Sequence, residues 1–399
     1  MKYNTVHVDI RLRLSEDGYV LDVGSLYDEL LGLTDKRHAR GKRYELALVL
    51  VFYILARLAG EDQPCGIADW VRAHRAILCQ SLQAPRSTGP LHNTYRRVLG
   101  EAVEVIELQA TVGRFLMRLP GAGQSVLVAL DGKTLRGSIP IGQLRGIHLL
   151  AAYLPGEGLV LFQVLVLSKE NEISAAPIVL KHLDLRGKIV RGDALLTQRS
   201  LSVQIVEAGG EYVWLVKENQ LHLLQDIVQL FQPEVCVPGF SPTPKDFRTA
   251  RTTYKAHRRL EERRLTTSRL LRDYVDWPYL EQVSKLERRV SQLKTGQVRQ
   301  EVVYGVTSLR PDEAGPERLL QINQDYWGIE NGLHYRRDKT LREDATRMSN
   351  PTLAEAVAIL NNLVIGLALH HGWRYLPQAR RHYNANLQDA LNLVLHHPT

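Results

Sequence analysis

Apolar and polar residues alternate over the first two dozen positions, and the pattern then changes to a helical period. Residues 6–14 and 19–23 alternate on either side of a Ser-Glu-Asp-Gly turn, which predicts a β-hairpin extension over residues 1–24. From residue 25 to about residue 120, apolar side chains recur every three or four positions, which predicts four or five helices. The sequence therefore predicts a hairpin followed by an all-helical N-terminal domain over residues 25–120.

After a Pro-Gly-Ala-Gly turn the pattern becomes that of an α/β fold. Residues 125–130 are a continuous apolar run of the kind found in strands buried on both faces, and residues 148–154 and 159–167 are two further strands. A helix over residues 175–183, a strand at 188–191, a helix at 200–208 and a strand at 212–216 follow. This βββαβαβ order predicts an RNase H-like catalytic domain within residues 121–399.

The alternation of strands and helices stops after the fifth strand of this domain. Residues 233–244 are predicted to form a loop, and residues 252–267 and 297–307 alternate like antiparallel strands. We therefore predict a β-rich insertion at about residues 221–306, followed by helices over 317–337 and 352–371. The insertion is rich in arginine between residues 248 and 272, so it is either a face that follows phosphates or a surface hairpin with two solvated sides.

Composition and charge narrow the class of protein. The chain has 399 residues, 44% of them hydrophobic, and its 51 Lys and Arg exceed its 43 Asp and Glu, for a net charge of +8 that favours nucleic acid as a partner. The three cysteines form no CxxC pair, so a disulfide scaffold and a cysteine-rich zinc site are disfavoured and a reducing cytosol fits. The longest wholly apolar run, residues 46–56, is too short for a membrane span, and no signal-peptide pattern begins the chain.

A basic loop at residues 35–43 interrupts the predicted helices. It is either a phosphate-binding loop or a solvated connector. Its candidate DNA contacts are Lys36, Arg37, Arg40, Lys42 and Arg43.

Three acidic residues stand where the predicted elements place polar side chains together. Asp131 follows the first buried strand, Asp193 follows the fourth strand, and Glu330 lies on a predicted helix. The residues that share the helix face of Glu330 at intervals of four are Tyr326, His334 and Asp338. Taken singly, Asp131 is an ordinary turn former and Asp193 an ordinary helix cap. Glu330 alone would be part of a solvated or salt-bridged helix face.

Taken together, the three carboxylates predict a metal site. Parallel neighbouring strands end at the same edge of a sheet, so Asp131 and Asp193 are expected to converge, with Glu330 presented by a helix across that edge. Hard oxygen ligands suit Mg²⁺ or Mn²⁺. Two such ions would activate a water or a 3′-hydroxyl for in-line attack on phosphorus.

The segments that carry these residues resemble the motifs of a known family. LDGKTLRGS at 130–138, GDALLTQ at 192–198, KENQ at 217–220, and WGIEN with LH and REDA between 327 and 345 are similar to the motifs of bacterial insertion-sequence transposases of the ISAs type, the H-repeat-associated proteins. The basic loop at 35–44 is also similar to that of the family. The resemblance covers roughly residues 25–399 and leaves out only the N-terminal hairpin.

The resemblance implies a DDE transposase that cleaves strands at insertion-sequence ends and transfers the 3′-hydroxyl to target DNA. It implies that Asp131, Asp193 and Glu330 are the catalytic residues and hold two Mg²⁺ or Mn²⁺ ions. Further DNA-facing residues expected from the motif positions and their neighbours are Lys133, Arg136, Lys217, Gln220, His334, Arg336 and Arg337. For several of these, capping or surface packing is the alternative. The implied partners are double-stranded DNA and at least a second copy of the chain on DNA, in the bacterial cytoplasm at the nucleoid and away from any membrane.

The sequence departs from the family pattern next to the glutamate. Gln324 and Tyr326 replace the usual Arg and His, and Arg336 and Arg337 replace apolar residues. These changes and the extra hairpin leave open a domesticated descendant that acts as a nuclease or a DNA-bound accessory protein without integration. A third alternative is a structural nucleic-acid-binding protein whose carboxylates only pair with arginine.

Overall fold

A group of helices comes first along the chain, and a large sheet flanked by helices follows. The computed structural model describes residues 12–14, 20–22, 24–82, 84, 88–140, 142–143, 146–166, 172–233, 246–256 and 258–396. Strands β1 (Leu12–Leu14) and β2 (Val20–Asp22) pair antiparallel. The rest of the predicted hairpin, residues 1–11 and 15–19, lies outside the described residues.

Six helices follow the hairpin. They are α1 (Leu26–Leu31), α2 (Leu46–Leu58), α3 (Pro64–Ala73), α4 (Arg75–Ser81), α5 (His92–Arg97) and α6 (Val105–Met117). All thirteen residues of α2 are buried because its sequence is apolar on every face. Its one charged residue, Arg57, donates hydrogen bonds to Asp62 at 3.0 Å and to Asn361 at 2.5 Å.

The sheet begins with five strands in the predicted order. The elements are β3 (Leu127–Thr134), β4 (His148–Leu154), β5 (Leu159–Val166), α7 (Glu172–Lys181), β6 (Ile189–Arg191), α8 (Arg199–Glu207) and β7 (Glu211–Val216). In space the strands run β5-β4-β3-β6-β7. The first three are antiparallel, whereas β6 is parallel to both β3 and β7. The α/β prediction for this region is therefore confirmed.

The first strand of the sheet is longer than predicted. The prediction ended it at residue 130, but β3 continues to Thr134, so Asp131 lies within the strand rather than after it. The Asp-Gly pair is a turn signal only where no neighbouring strand competes. Here β4 pairs with β3 as far as Thr134, whose partner is His148, so β3 continues through the Asp-Gly pair.

The segment predicted as a β-rich insertion begins as a helix and then extends the same sheet. Helix α9 (Leu221–Phe231) corrects the prediction of β structure from residue 221, since Leu223 and Ile227 lie one turn apart and are buried. Four antiparallel strands follow: β8 (Arg248–Ala256), β9 (Arg259–Ser268), β10 (Gln282–Gln292) and β11 (Val298–Thr307). Because β11 pairs with β7, the sheet has nine strands. Most of the predicted loop at 233–244 lies outside the described residues.

The helix predicted over residues 317–337 is not continuous. Helix α10 (Pro316–Tyr326) is followed by two widened π-helical turns at Glu330–His334 and Arg336–Thr340. The widened turns lie directly against the sheet: a β-carbon at residue 332 would come within 2.5 Å of the Tyr153 hydroxyl. Glycine at this position permits that approach.

The C-terminal helices join the two parts of the chain. They are α11 (Pro351–His370), α12 (Leu376–Ala385) and α13 (Leu387–Leu395). Helix α11 packs against α2, α6 and β5, and one continuous apolar core contains residues from all of them. Among the described helices, α11 has the length and apolar composition of a membrane span, but 78% of its apolar window is buried inside the fold, as in the core helix of a globular protein.

Candidate active site

Two of the three predicted carboxylates lie at matching distances along neighbouring parallel strands, Asp131 within β3 and Asp193 just after β6. Ala129 of β3 is in register with Arg191 of β6, and Asp131 and Asp193 each lie two residues farther along. Asp131 is half-buried in β3. Asp193 begins a short 3-10 turn, where its Oδ1 accepts hydrogen bonds from the backbone N–H of Leu195 at 2.9 Å and of Leu196 at 3.3 Å.

The widened turns after α10 place the third carboxylate beside Asp131. Ligand atoms of Asp131, Glu330 and His334 all lie within 4.8 Å of one another. The Nδ1 of His334 is 3.6 Å from the Oδ2 of Asp131. Two more residues of the predicted face also reach β3: the Tyr326 hydroxyl donates to the Leu130 carbonyl at 3.3 Å, and Asp338 pairs with Lys133. Glu330, His334 and Asp338 thus approach one strand despite the wider helical turns.

The environment of Asp131 opposes its charge. Burial, together with the nearby carboxylates Glu330, Asp193 and Glu172, raises the pKa of this carboxyl to about 7. Asp193 is therefore close enough to repel Asp131, although it is outside the group of three that share the 4.8 Å limit. Asp131 is half-buried and Glu330 is exposed. A carboxyl whose pKa is shifted by burial and by neighbouring charges marks a candidate functional site.

His334 is held in its neutral form. Burial, together with the positive charges of Arg337 and Lys133, lowers the pKa of the imidazole to about 3. Its Nε2 is buried and has no hydrogen-bond partner among the described residues. A neutral imidazole next to two carboxylates keeps a lone pair free to bind a metal.

The donor set fits a divalent cation. Two carboxylates and a neutral imidazole are ligands for Mn²⁺ and related ions, and carboxylates with water suit Mg²⁺. The orphaned Nε2 of His334 and the mutual repulsion of the carboxylates are what such a cation would relieve. Asp131, Glu330 and His334 are therefore the residues that could hold it, with Asp193 adjacent.

A buried network behind β3 was missed from the sequence. His148 Nε2 is 2.6 Å from Glu172 Oε1, and its Nδ1 is 2.8 Å from the Thr134 hydroxyl. The pair lies directly against β3 next to Asp131: a β-carbon at Gly132 would overlap both Glu172 and His148. No local signal marks Glu172, which reaches the site only because α7 packs against β4 and β5.

Arg191 is a second missed residue. It lies in a strand whose three residues are all buried, and burial lowers the pKa of its guanidinium to about 10. Its guanidinium carbon is 4.6 Å from the centre of the Tyr326 ring, and its Nε and Nη1 have no partner among the described residues. A charged residue inside a short apolar strand was a visible signal, since buried arginine is rare without a role.

Some of the predicted DNA contacts face outward. Arg136 and Lys217 are exposed, and the Nε of Arg136 is 3.8 Å from Asp344. Gln220 is half-buried and donates to the Thr197 carbonyl at 2.9 Å. The half-buried guanidinium of Arg336 donates to the Gly332 carbonyl and, at 3.3 Å, to the Arg374 carbonyl.

Three other predicted DNA contacts are paired with carboxylates of the chain, so their contact with DNA stays a prediction. Arg337 is 1% exposed and pairs with buried Glu343 at 2.7 Å. Lys133 is 7% exposed and pairs with Asp338. Arg37 is half-buried, paired at 2.8 Å with Asp35, two residues before it in the chain. In each case an internal carboxylate competes for the cation.

The rest of the basic loop is exposed. Lys36 pairs with Glu104, Lys42 lies 4.0 Å from Asp35, and Arg43 lies over the Tyr44 ring with its guanidinium carbon 5.9 Å from the ring centre. Arg40 makes no ion pair within the described part of the chain. Only part of this loop is therefore available to phosphates.

Two family models match most of the chain. Residues 122–367 match the family model described as Transposase DDE domain, and residues 27–116 match the model described as DDE_Tnp_1-associated. A protein named YbfL of Escherichia coli is 25% identical over 355 residues, which cover 87% of this chain and 91% of that protein. A protein of the same organism named H repeat-associated putative transposase YhhI is 24% identical with the same coverage.

A further relative comes from another bacterium. An uncharacterised protein encoded in the dhlA 3′ region of Xanthobacter autotrophicus is 34% identical over 262 residues, which cover 64% of this chain and 84% of that protein. A solved piggyBac transposase synaptic complex with hairpin DNA aligns at a TM-score of 0.43, a likeness too weak to bear on fold or function. The matched domain covers more than half of the sequence and contains all three predicted carboxylates, so the chain belongs to the DDE transposase family, with relatives among the H-repeat-associated proteins.

Proposed function

We propose that this chain is a DNA transposase that cleaves strands at insertion-sequence ends and transfers the 3′-hydroxyl to target DNA, using divalent metal ions. One observation carries the proposal: Asp131, Glu330 and His334, from a strand and from a segment far along the chain, have ligand atoms within 4.8 Å of one another. Family membership gives that cluster its chemical context. The strand order β5-β4-β3-β6-β7 supports our inference of an RNase H-like core.

Asp131, Asp193 and Glu330 are proposed as the catalytic carboxylates that hold Mg²⁺ or Mn²⁺, with His334 as an additional ligand. Two bound ions would stabilise the attacking and leaving oxygens of an in-line displacement at phosphorus. The protein's own groups position these ligands. The pair Lys133 and Asp338 anchors the widened turns to β3, and the His148 and Glu172 pair supports β3 from behind.

Exposed Lys217 and Arg136 are proposed to contact the phosphates of double-stranded DNA near the site. We also propose that Arg40, Lys42 and Arg43 bind DNA outside the catalytic domain. Joining of two ends to a target requires more than one copy of the chain on DNA, so a dimer or larger assembly in the bacterial cytoplasm belongs to the same proposal.

The first test is cleavage of a labelled duplex that carries the element end and its flank. The wild-type chain is expected to cut with Mg²⁺ or Mn²⁺ and not with EDTA. Glu330→Gln is expected to cleave at least a hundredfold more slowly, because it replaces a carboxylate oxygen that would bind the metal ion. It should still bind DNA, because no other side chain is changed. Glu317→Gln, an acidic residue in the first turn of α10, is the matched control.

The same assay separates the proposal from an accessory role. A pre-cleaved end should be joined to a target plasmid by the wild type and by the control. Cleavage without joining would indicate a nuclease without integration. Full cleavage by Glu330→Gln would contradict the proposed active site.

A further inference from the structure

A groove lies beside the widened turns, and neither Asp131 nor Glu330 is among the described residues that line it. It is formed where the turn Arg336–Thr340 meets the start of α12, and its volume is about 1120 Å³. No Asp or Glu is among the described residues that line it. We call it the basic groove, and the residues used here are Tyr335, Lys339, Arg374, Tyr375 and Arg381.

The cations of the basic groove are not neutralised. Lys339, Arg374 and Arg381 are exposed, and none of them has a carboxylate within 4.0 Å in the described ranges. The positive potential of the groove therefore remains available to an anion.

Two further arginines line the groove but are held by hydrogen bonds within the protein. Arg380 is buried and donates to the Thr340 carbonyl at 2.6 Å and to Asp62 at 2.7 Å. The guanidinium of Arg336 is held by the Gly332 and Arg374 carbonyls. These bonds tie α12 to the widened turns, so the groove is preorganised.

Exposed aromatic rings stand beside the free cations. Tyr335 is 59% exposed and Tyr375 is 54% exposed. The guanidinium carbon of Arg374 is 5.5 Å from the centre of the Tyr375 ring. A cationic groove with exposed aromatic faces is the arrangement that binds single-stranded nucleic acid, with phosphates on the cations and bases stacked on the rings.

The widened turns connect this groove to the candidate active site. Glu330, His334 and Asp338 face β3, whereas Tyr335 and Lys339 line the groove. One short segment thus presents metal ligands on one side and the groove on the other.

We propose that the basic groove binds an unpaired stretch of DNA strand that leads away from the cleavage site. The proposal rests on the proposed transposase function and adds a DNA-binding site outside the catalytic carboxylates. Paired DNA would not place its bases on Tyr335 and Tyr375, so the groove distinguishes an unpaired strand from a duplex.

The test compares binding of a labelled oligothymidylate and of a duplex of equal length, in EDTA so that no cleavage occurs. The triple variant K339A/R374A/R381A is expected to bind the single strand of the order of 100-fold more weakly at 0.1 M salt. The slope of the logarithm of the binding constant against the logarithm of the salt concentration should be shallower by about 2, since each lost phosphate contact removes about 0.7 from that slope. The control R72A/R186A/R310A removes three exposed arginines that pair with carboxylates, and it should bind like the wild type.

The tyrosines give a second, independent readout. Y335A/Y375A should weaken single-strand binding by about tenfold or more, because stacking of a base on an aromatic ring is lost. Y335F/Y375F keeps both rings and should restore binding. Failure of the phenylalanine variant to restore binding would overturn the stacking assignment.

The remaining outcomes separate this proposal from the proposed function. Equal single-strand binding by the triple variant and the wild type would overturn the proposed DNA-binding role of the basic groove. It would leave the proposed DNA cleavage by the site that contains Glu330 unaffected. A loss confined to the duplex would overturn the unpaired strand as the occupant. Absence of any DNA binding by the wild type would overturn both.

Discussion

Asp131 is held in a position that is unfavourable for its own charge. Burial and three neighbouring carboxylates raise its pKa to about 7, and no cation of the protein pairs with it within the described residues. The nearest basic groups act elsewhere, since Lys133 pairs with Asp338 and Arg191 stacks on Tyr326. A site that is unstable when empty and complementary to a cation when filled is expected of a metal centre.

We therefore expect Asp131→Asn to raise the stability of the metal-free chain and to remove the stabilisation by Mn²⁺. Without metal, the variant should melt roughly 1–2 °C higher for each kcal/mol of repulsion that is removed, because the unfolding entropy of a chain of this length is large. Addition of Mn²⁺ should raise the melting temperature of the wild type, because the ion binds only the folded state, and should not raise that of the variant. Differential scanning fluorimetry measures both effects.

The control for this prediction is Asp312→Asn, which changes an exposed carboxylate near Arg310. It should retain the Mn²⁺-dependent rise. An unchanged rise in Asp131→Asn would mean that Asp131 does not bind the ion.

Helix α11 carries a half-buried acid against the sheet. Glu355 lies near its first turn and accepts a hydrogen bond from the backbone N–H of Leu165 in β5. Burial raises the pKa of Glu355 from 4.5 to about 7. The unfolded chain therefore releases this proton at a lower pH than the folded chain does, and the contribution of Glu355 to stability decreases between about pH 4.5 and pH 7.

Glu355→Gln should remove this dependence because the amide resembles the protonated acid. The variant is expected to match the wild type near pH 4.5 and to exceed its free energy of unfolding by about 1–2 kcal/mol at pH 8, a value that allows for partial exposure of the carboxyl. Urea unfolding at the two pH values measures the difference. Glu207→Gln at the exposed end of α8 should show no such trend, and an equal effect at both pH values would exclude titration of Glu355 as the cause.

The nine-stranded sheet and the N-terminal helices are joined by a shared core. Helix α2 is wholly buried, and it contacts α11, α12 and α13. Arg57 of α2 and Asn361 of α11 are hydrogen-bonded inside that core. The apolar surface of α11 is therefore covered by residues from both ends of the chain.

Separation of the two matched regions should expose this surface. A fragment of residues 121–399 is expected to aggregate or to bind a hydrophobic dye when produced alone, since large apolar patches are not tolerated on monomers. Co-production with residues 24–120 should restore solubility, and the intact chain should unfold in one cooperative transition. Calorimetry that showed two independent transitions would contradict the shared core.

Local pattern was sufficient for the strands and helices between residues 125 and 216. The continuous apolar run at 125–130, the strands at 148–154 and 159–167 and the βαβ repeat that follows are confirmed, because period and turn residues are properties of neighbouring positions. The ends of elements were less predictable. β3 continues through Asp131 and Gly132 because β4 pairs with it, and α10 ends early where the chain lies against Tyr153.

The sequence by itself determined the order of strands and helices between residues 125 and 216 and the family, and it pointed to Asp131 and Glu330, whose carboxylates the structure brings together. Only the tertiary structure decided which charged residues face inward. Arg337 and Lys133 are indistinguishable from surface cations in sequence, but Glu343 and Asp338 neutralise them inside the fold. Glu172 and Arg191 reach the site through contacts between distant segments, and such contacts leave no periodic trace. The physical reason is that periodicity reports the environment of one element, whereas charge pairing depends on which elements pack together.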